Sequence, residues 1–144
     1  MKRKLGQWAA AHEWWALGMI LTVFSGVVFG NMTRWSVWFD EAFSAYLARF
    51  NIVEIAHFTS LDVHPPLYYW LLKGWTVIFG HSALAVRSLS LAFALVGLVG
   101  LYVVVRYITK RSSYSLAAVT AVALTPVFVR FSHEARMYTL VFAI

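Results

Sequence analysis

The chain has 144 residues, of which 61% are hydrophobic and only 12% are charged. A soluble domain carries about 25% charged residues, so this composition indicates an integral membrane protein. The net charge of +6 comes from basic residues at the ends of apolar runs, not in one patch or arm, which argues against a nucleic-acid partner. The absence of Cys excludes disulfides and thiolate metal sites.

Three apolar segments predict membrane spans at about residues 14–32, 83–105 and 114–129. At 1.5 Å per residue, about 20 residues cross a 30 Å hydrocarbon core. The first segment follows a basic start, Lys-Arg-Lys at 2–4, and no small-x-small cleavage site comes after it. We therefore interpret it as an uncleaved signal anchor, and we predict an all-α membrane protein.

The loop at 33–82 shows the pattern of short helices that lie on a membrane. Apolar residues recur at helical spacing over 39–50. Asn51, followed three residues later by Glu54, has the form of a capping box and predicts a second short helix. A double proline opens a third stretch at 67–79, which is short for a span.

Charge predicts the topology. The basic clusters at 2–4 and 106–111 should both face the cytoplasm, so two spans must separate them. The stretch 67–79 is then interfacial or re-entrant, and the 33–82 loop lies outside the cytoplasm together with the segment around Glu134. We expect the following side chains to converge there: Asp40, Glu41, Asp62, His64, Glu134 and Arg136.

Asp40 and Glu41 are adjacent carboxylates at the start of a predicted helix, just outside the first span. A carboxylate in that position can act as a general base toward a hydroxyl or amine acceptor. The alternative is that Asp40 stabilises the helix start and Glu41 is its solvated neighbour.

Asp62 and His64 precede the double proline. His64 can contact a phosphate, or bind a divalent metal together with Asp62. The alternative is an interfacial His beside a turn.

The segment 131–138 supplies a second acid, Glu134, with Arg136, which can grip phosphate bidentately, and Tyr138, which can donate a hydrogen bond. The alternative is a basic, aromatic interface anchor. That alternative accounts for Arg130 and His133 but not for Glu134.

Four features occur in a characteristic order: the acidic pair at 40–41; His-Pro-Pro-Leu-Tyr-Tyr-Trp at 64–70; Phe-Gly-His-Ser at 79–82 with Arg-Ser-Leu at 87–89; and Glu-Ala-Arg-Met-Tyr at 134–138. In this order they resemble family 39-type membrane glycosyltransferases, relatives of protein O-mannosyltransferases and lipid A aminoarabinose transferases. The likeness runs from about residue 10 to the end of the chain.

The resemblance implies a GT-C fold, a multi-span helical bundle with juxtamembrane helices in its first outer loop. It implies transfer of a sugar from a polyprenyl-phosphate donor to a protein, lipid or glycan acceptor, with inversion at the anomeric centre. The expected location is the prokaryotic plasma (inner) membrane, among membrane lipids, with the active face outside the cytoplasm. A divalent metal is one candidate cofactor.

The resemblance also implies roles for single residues. Asp40 matches the family's first-loop acidic residue, a catalytic base or acceptor-orienting group. Glu134 matches the second-loop acidic residue, which is often Asp in relatives. His64 falls where relatives place a basic contact to the donor phosphate. We expect the remaining substrate contacts from Glu41, Arg136 and Tyr138, the last two by position and chemistry only.

Members of this family run to several hundred residues. We therefore expect residues 1–144 to be the N-terminal portion of one transmembrane domain in a longer enzyme, and not to catalyse alone. Two other classes stay open. A transporter or lipid flippase predicts acids within the spans, and a non-catalytic membrane scaffold predicts acids that are scattered and solvated.

Overall fold

The computed structural model describes residues 2–61 and 64–144, with side chains from residue 12 onward. Every regular element in these ranges is an α-helix, so the predicted all-α class is confirmed. The helices are α1 (Lys2–Met32), α2 (Phe39–Leu47), α3 (Ile52–Ser60), α4 (Leu67–Phe79), α5 (Ala83–Thr109), α6 (Ser112–Ala123), α7 (Pro126–His133) and α8 (Tyr138–Ala143).

Two helices are long and apolar enough to cross a membrane, over His12–Met32 in α1 and along the whole of α5. The pair α6 and α7 provides a third span or a re-entrant element, bent by 67° at its break. The bend has a local cause. Thr125 precedes Pro126 and is extended, with ψ of 120°, because the proline ring disfavours helical backbone in the preceding residue. The break falls inside the 114–129 segment.

Helix α5 is the central element, because both apolar clusters of the described chain use it. One cluster joins α1, α5 and α6 through buried side chains such as Phe24, Leu98 and Val119. The other packs α2, α3 and α4 against the first half of α5, with Leu47 and Leu89 among its members. The loop helices α2, α3 and α4 are therefore packed against the α5 span.

Hydrogen bonds fix the loop helices to one another. Asn51 and Glu54 form the predicted capping box of α3, with bonds of 2.9 and 3.0 Å. The indole of Trp70 donates to the carbonyl of Ile52, and that of Trp75 donates to the carbonyl of Ala85, both at 3.0 Å. These bonds tie α4 to α3 and to α5. Helix α4, with 13 residues, is not among the helices that could span a membrane.

Gly97 marks the place where α8 crosses α5. A Cβ atom there would lie 2.3 Å from Cδ1 of Phe142 and 3.3 Å from its carbonyl oxygen. A side-chain carbon fits there only if the Phe142 ring moves, so glycine allows α8 to pack on α5 in the observed arrangement. Gly100, one turn along the same helix, has nothing within 4 Å of its Cβ position.

We expect Gly97→Ala to lower the thermal midpoint of the purified protein in detergent relative to Gly100→Ala. Both changes raise helix propensity equally, but only Gly97→Ala forces Phe142 to move, at about 1–3 kcal/mol for overpacking. Equal midpoints for the two variants would mean that α8 does not pack on α5 as described.

Candidate active site

Glu41 and Arg87 form a buried ion pair between α2 and α5. Arg87 Nη2 lies 2.5 Å from Glu41 Oε2, and Nε lies 2.8 Å from Oε1. The side chains are only 4% and 3% exposed for Arg87 and Glu41, respectively. A two-point contact of this kind uses the planar guanidinium fork, which fixes orientation as well as distance.

The same guanidinium also holds the chain that leaves the first span. It donates to the carbonyls of Met32, Trp35 and Ser36, the last two at 3.0 and 3.2 Å. Arg87 therefore satisfies carbonyls that have no helical partner at the end of α1. Its position near the start of α5 thereby sets where α2 begins.

The connection between α7 and α8 docks onto these helices by its backbone. The N–H of Ala135 donates to Glu41 Oε1 at 3.1 Å, and Ser90 Oγ donates to the carbonyl of Arg136 at 3.3 Å. Ser90 uses its one hydrogen there, so the Tyr68 hydroxyl, 3.2 Å away, donates to Ser90. Burial raises the pKa of Tyr68, which keeps the proton on that hydroxyl.

Asp40 and Arg136 form a second ion pair, which joins the first loop to the α7–α8 connection. Arg136 Nη1 lies 3.0 Å from Asp40 Oδ2. The Asp40 side chain is 38% exposed and that of Arg136 is 11% exposed. Burial lowers the pKa of Arg136, but the hydrogen bond to Tyr138 and the charge of Asp40 outweigh it, so the net pKa is raised. The guanidinium is thus cationic and held against an accessible carboxylate.

A cleft of about 490 Å³ opens beside the Glu41–Arg87 pair, and Asp40 and Arg136 are not among the described residues that line it. Its volume is in the range of small-molecule sites, about 300–1,000 Å³. Arg130 Nε lies 2.8 Å from Glu134 Oε1, and the guanidinium carbon of Arg130 lies 5.8 Å from the centre of the Trp38 ring. The lining residues are Trp35, Ser36, Trp38, Glu41, Arg87, Arg130, His133 and Glu134.

The geometry thus brings together parts of the chain that are far apart in sequence. The family model for dolichyl-phosphate-mannose-protein mannosyltransferases matches residues 63–143, more than half of the chain. The chain belongs to this family. No curated protein and no solved structure matches it. Membership confirms the resemblance to GT-C mannosyltransferases, and it implies a membrane glycosyltransferase that uses a lipid-linked sugar donor and an acceptor.

The matched region includes α4 to α8 and therefore Arg87, Glu134 and Arg136, while Asp40 and Glu41 precede it. The ion pairs Asp40–Arg136 and Glu41–Arg87 connect the two parts. The acidic pair therefore contacts the matched region, although the family match does not cover it.

Of the residues predicted to converge, the structure brings Asp40, Glu41, Glu134 and Arg136 into the contacts described above. Tyr138 joins them through a 3.4 Å hydrogen bond from Arg136. Of the predicted site residues, Glu41 and Glu134 line the cleft, whereas Asp40, Arg136 and Tyr138 do not. His64 lies half-buried before α4 and is not among the described lining residues either.

Asp62 lies outside the described residues, so the predicted Asp62–His64 metal pair stays a prediction. Within residues 12–61 and 64–144, no three His, Asp or Glu side chains gather as metal ligands would.

Sequence reasoning gave no site role to Arg87, Arg130 or Trp38. Arg87 carried a usable signal, because a charged side chain inside a long apolar helix calls for a named partner. Arg130 and Trp38 carried none, since basic and aromatic residues at span ends are ordinary interface anchors. Their contact depends on the bend between α6 and α7.

We expect Glu41→Gln to cost about 3–5 kcal/mol of stability, because it leaves the buried charge of Arg87 uncompensated. The thermal midpoint in detergent and the amount of protein in the membrane should both fall. Glu54→Gln, which alters an exposed acid on the neighbouring helix, should change neither appreciably. Similar midpoints for the two variants would show that the Glu41–Arg87 pair does not hold the loop.

Proposed function

We propose that this chain contributes the catalytic base and acceptor-orienting groups of a polyprenyl-phosphate-dependent glycosyltransferase, acting at the non-cytoplasmic face of a plasma membrane. The observation that carries the proposal is the 3.0 Å contact between Asp40 and Arg136. It places an accessible carboxylate of the first loop against a cation from the family-matched segment.

Asp40 is the base in this proposal. The acceptor oxygen or nitrogen attacks the anomeric carbon as Asp40 takes its proton, and the bond from that carbon to the phosphate oxygen breaks on the opposite face. Polyprenyl phosphate leaves with the bonding electrons, and the anomeric configuration inverts. The reaction needs no protein nucleophile, and a base within hydrogen-bond reach of the acceptor suffices.

Exposure distinguishes the two adjacent acids. Asp40 is 38% exposed, whereas Glu41 is 3% exposed with both oxygens engaged by Arg87. Glu41 is therefore a positioning residue and not the substrate contact expected from the sequence, because its carboxylate is already paired. Arg136 orients Asp40, and Tyr138 and His64 stay proposed substrate contacts.

Glu134 differs from Asp40 in its surroundings. Its side chain is 10% exposed and is paired with Arg130 at the cleft wall. We propose that it shapes the substrate cleft as a second acid and does not abstract the acceptor proton.

The burial of these acids also bears on the rival functions. A scaffold would leave its acids solvated, yet Glu41 and Glu134 are buried and paired. A transport path would place acids along the spans. Glu13, in the α1 span, lies at the opposite end from this site and accepts hydrogen bonds from Tyr102 and Arg106 at 3.0 and 3.3 Å. This contact joins α1 to α5, so we assign Glu13 to helix packing and not to a transport path.

We expect Asp40→Asn in the complete natural protein to reduce glycosyl transfer by about 10²–10⁴-fold, the usual contribution of a general base. Expression should stay near normal and the thermal midpoint should fall less than in Glu41→Gln, since Asp40 is partly solvated and an Asn oxygen still accepts a hydrogen bond from Arg136. The measurement is transfer of labelled sugar to acceptor in membranes. Glu54→Gln, an acid in the first turn of the next loop helix, serves as the control. Transfer by Asp40→Asn at the wild-type rate would contradict the assignment.

The orientation is testable because the chain has no cysteine of its own. Single cysteines at two exposed helical serines, Ser60→Cys on α3 and Ser113→Cys on α6, should respond differently to a membrane-impermeant maleimide. We expect labelling of Ser60→Cys from the outside, and labelling of Ser113→Cys only after the cells are opened. The reverse pattern, or equal labelling of both in intact cells, would overturn the proposed topology.

A further inference from the structure

Arg130 differs from Arg87 and Arg136, the other two arginines in the ion pairs of the site, in the exposed fraction of its side chain. Its side chain is 62% exposed, against 4% for Arg87 and 11% for Arg136. Arg87 is engaged by Glu41 and three carbonyls. Arg136 is engaged by Asp40 and Tyr138. Among these three arginines, Arg130 is therefore the one whose guanidinium is mostly exposed to solvent.

Two contacts hold the Arg130 guanidinium in place. Its Nε donates to Glu134 Oε1 at 2.8 Å, and Trp38 lies beneath it, with 5.8 Å from guanidinium carbon to ring centre. Trp38 is the N-cap residue directly before α2, so its backbone is fixed by the same turn that positions Asp40 and Glu41. Cation–π contact and a carboxylate on Nε both restrict the side chain.

The edge of the guanidinium opposite Nε stays available. Within the described residues, the two Nη nitrogens of Arg130 donate to no protein group, and the side chain lines the 490 Å³ cleft. That edge carries two parallel N–H donors, the arrangement that matches two oxygens of a phosphate. His133 lines the same cleft with Nδ1 3.0 Å from the carbonyl of Val129, so Nε2 is its nitrogen available to a ligand.

We propose that Arg130 binds the phosphate of the lipid-linked donor bidentately through its Nη edge, with Glu134 and Trp38 as positioning residues. This inference rests on the proposed function, because it assigns a ligand to the same site. It moves the main phosphate contact from Arg136, which orients Asp40, to Arg130. The leaving phosphate then develops its charge against a cation that is already oriented, as electrostatic catalysis requires.

Because the charges that line the cleft balance, the two parallel N–H donors of the guanidinium determine whether an anion binds. Arg87 and Arg130 face Glu41 and Glu134, so formal positive and negative charges among these four residues balance. An anion gains little there from net charge, and its binding depends on the paired donors. Lysine keeps the charge but cannot present two parallel N–H groups, so Arg130→Lys should fail almost as badly as Arg130→Ala.

The test uses the complete natural protein in lipid nanodiscs and two probes that differ only in the head group: undecaprenyl phosphate and undecaprenol. Retention of each labelled probe is measured for wild type, Arg130→Lys, Arg130→Ala and a matched control, Arg111→Ala. Arg111 is also an exposed arginine beside an aromatic ring, 5.7 Å from the Tyr114 centre, but it lies at the α5–α6 turn. Thermal midpoints of all variants verify folding.

We expect wild type and Arg111→Ala to prefer the phosphate over the alcohol. Both Arg130 variants should lose about tenfold or more in phosphate affinity, with unchanged retention of the alcohol and near-normal midpoints. Wild-type preference that persists in folded Arg130→Ala and Arg130→Lys would overturn the assignment of Arg130 alone. Equal retention of phosphate and alcohol by wild type would instead contradict the proposed donor class, and the proposed function with it.

Discussion

The ion pair between Glu41 and Arg87 is the interaction on which the active end of this bundle depends. An arginine in a membrane helix is costly, about 2.5–3.5 kcal/mol at the bilayer centre, unless it is paired or hydrated. Here one carboxylate and three backbone carbonyls satisfy it. The need to compensate this charge therefore folds the chain leaving α1 back onto the start of α5, and it sets the position of α2.

The Glu41–Arg87 pair also positions Asp40 and Arg136, the residues of the proposed catalytic contact, because one is next in sequence to Glu41 and the other to a residue held by Glu41. Glu41 also accepts the N–H of Ala135, so a single buried carboxylate holds both the first loop and the α7–α8 connection. Asp40 precedes Glu41 and Arg136 follows Ala135, and these outer neighbours meet at 3.0 Å. The buried pair supplies rigidity, while the more exposed pair next to it is accessible to an acceptor. In the proposed mechanism, preorganisation of this kind would position Asp40 as a base without burying it completely.

The class of the fold and the capping of α3 were predictable from the sequence, because both follow from local patterns: long apolar runs, and Asn51 with Glu54 at capping-box spacing. Three features were not predictable. A hydropathy profile does not show that the backbone of Thr125 is extended before Pro126 and interrupts the helix. The partner of Arg87 lies 46 residues away, so no local pattern names it. Arg130 is a basic residue near the end of an apolar segment, as interface anchors are. Only the bend of 67° between α6 and α7 brings it to the cleft beside Trp38.

A double-mutant cycle between Asp40 and Arg136, read out as glycosyl transfer by the complete natural protein, tests the central claim that the two loops form one catalytic centre. If Arg136 acts by orienting Asp40, adding Arg136→Gln to Asp40→Asn should cause little further loss, because the function it supports is already gone. If the separate losses multiply in the double variant, the two residues act independently, and the shared centre described above is contradicted.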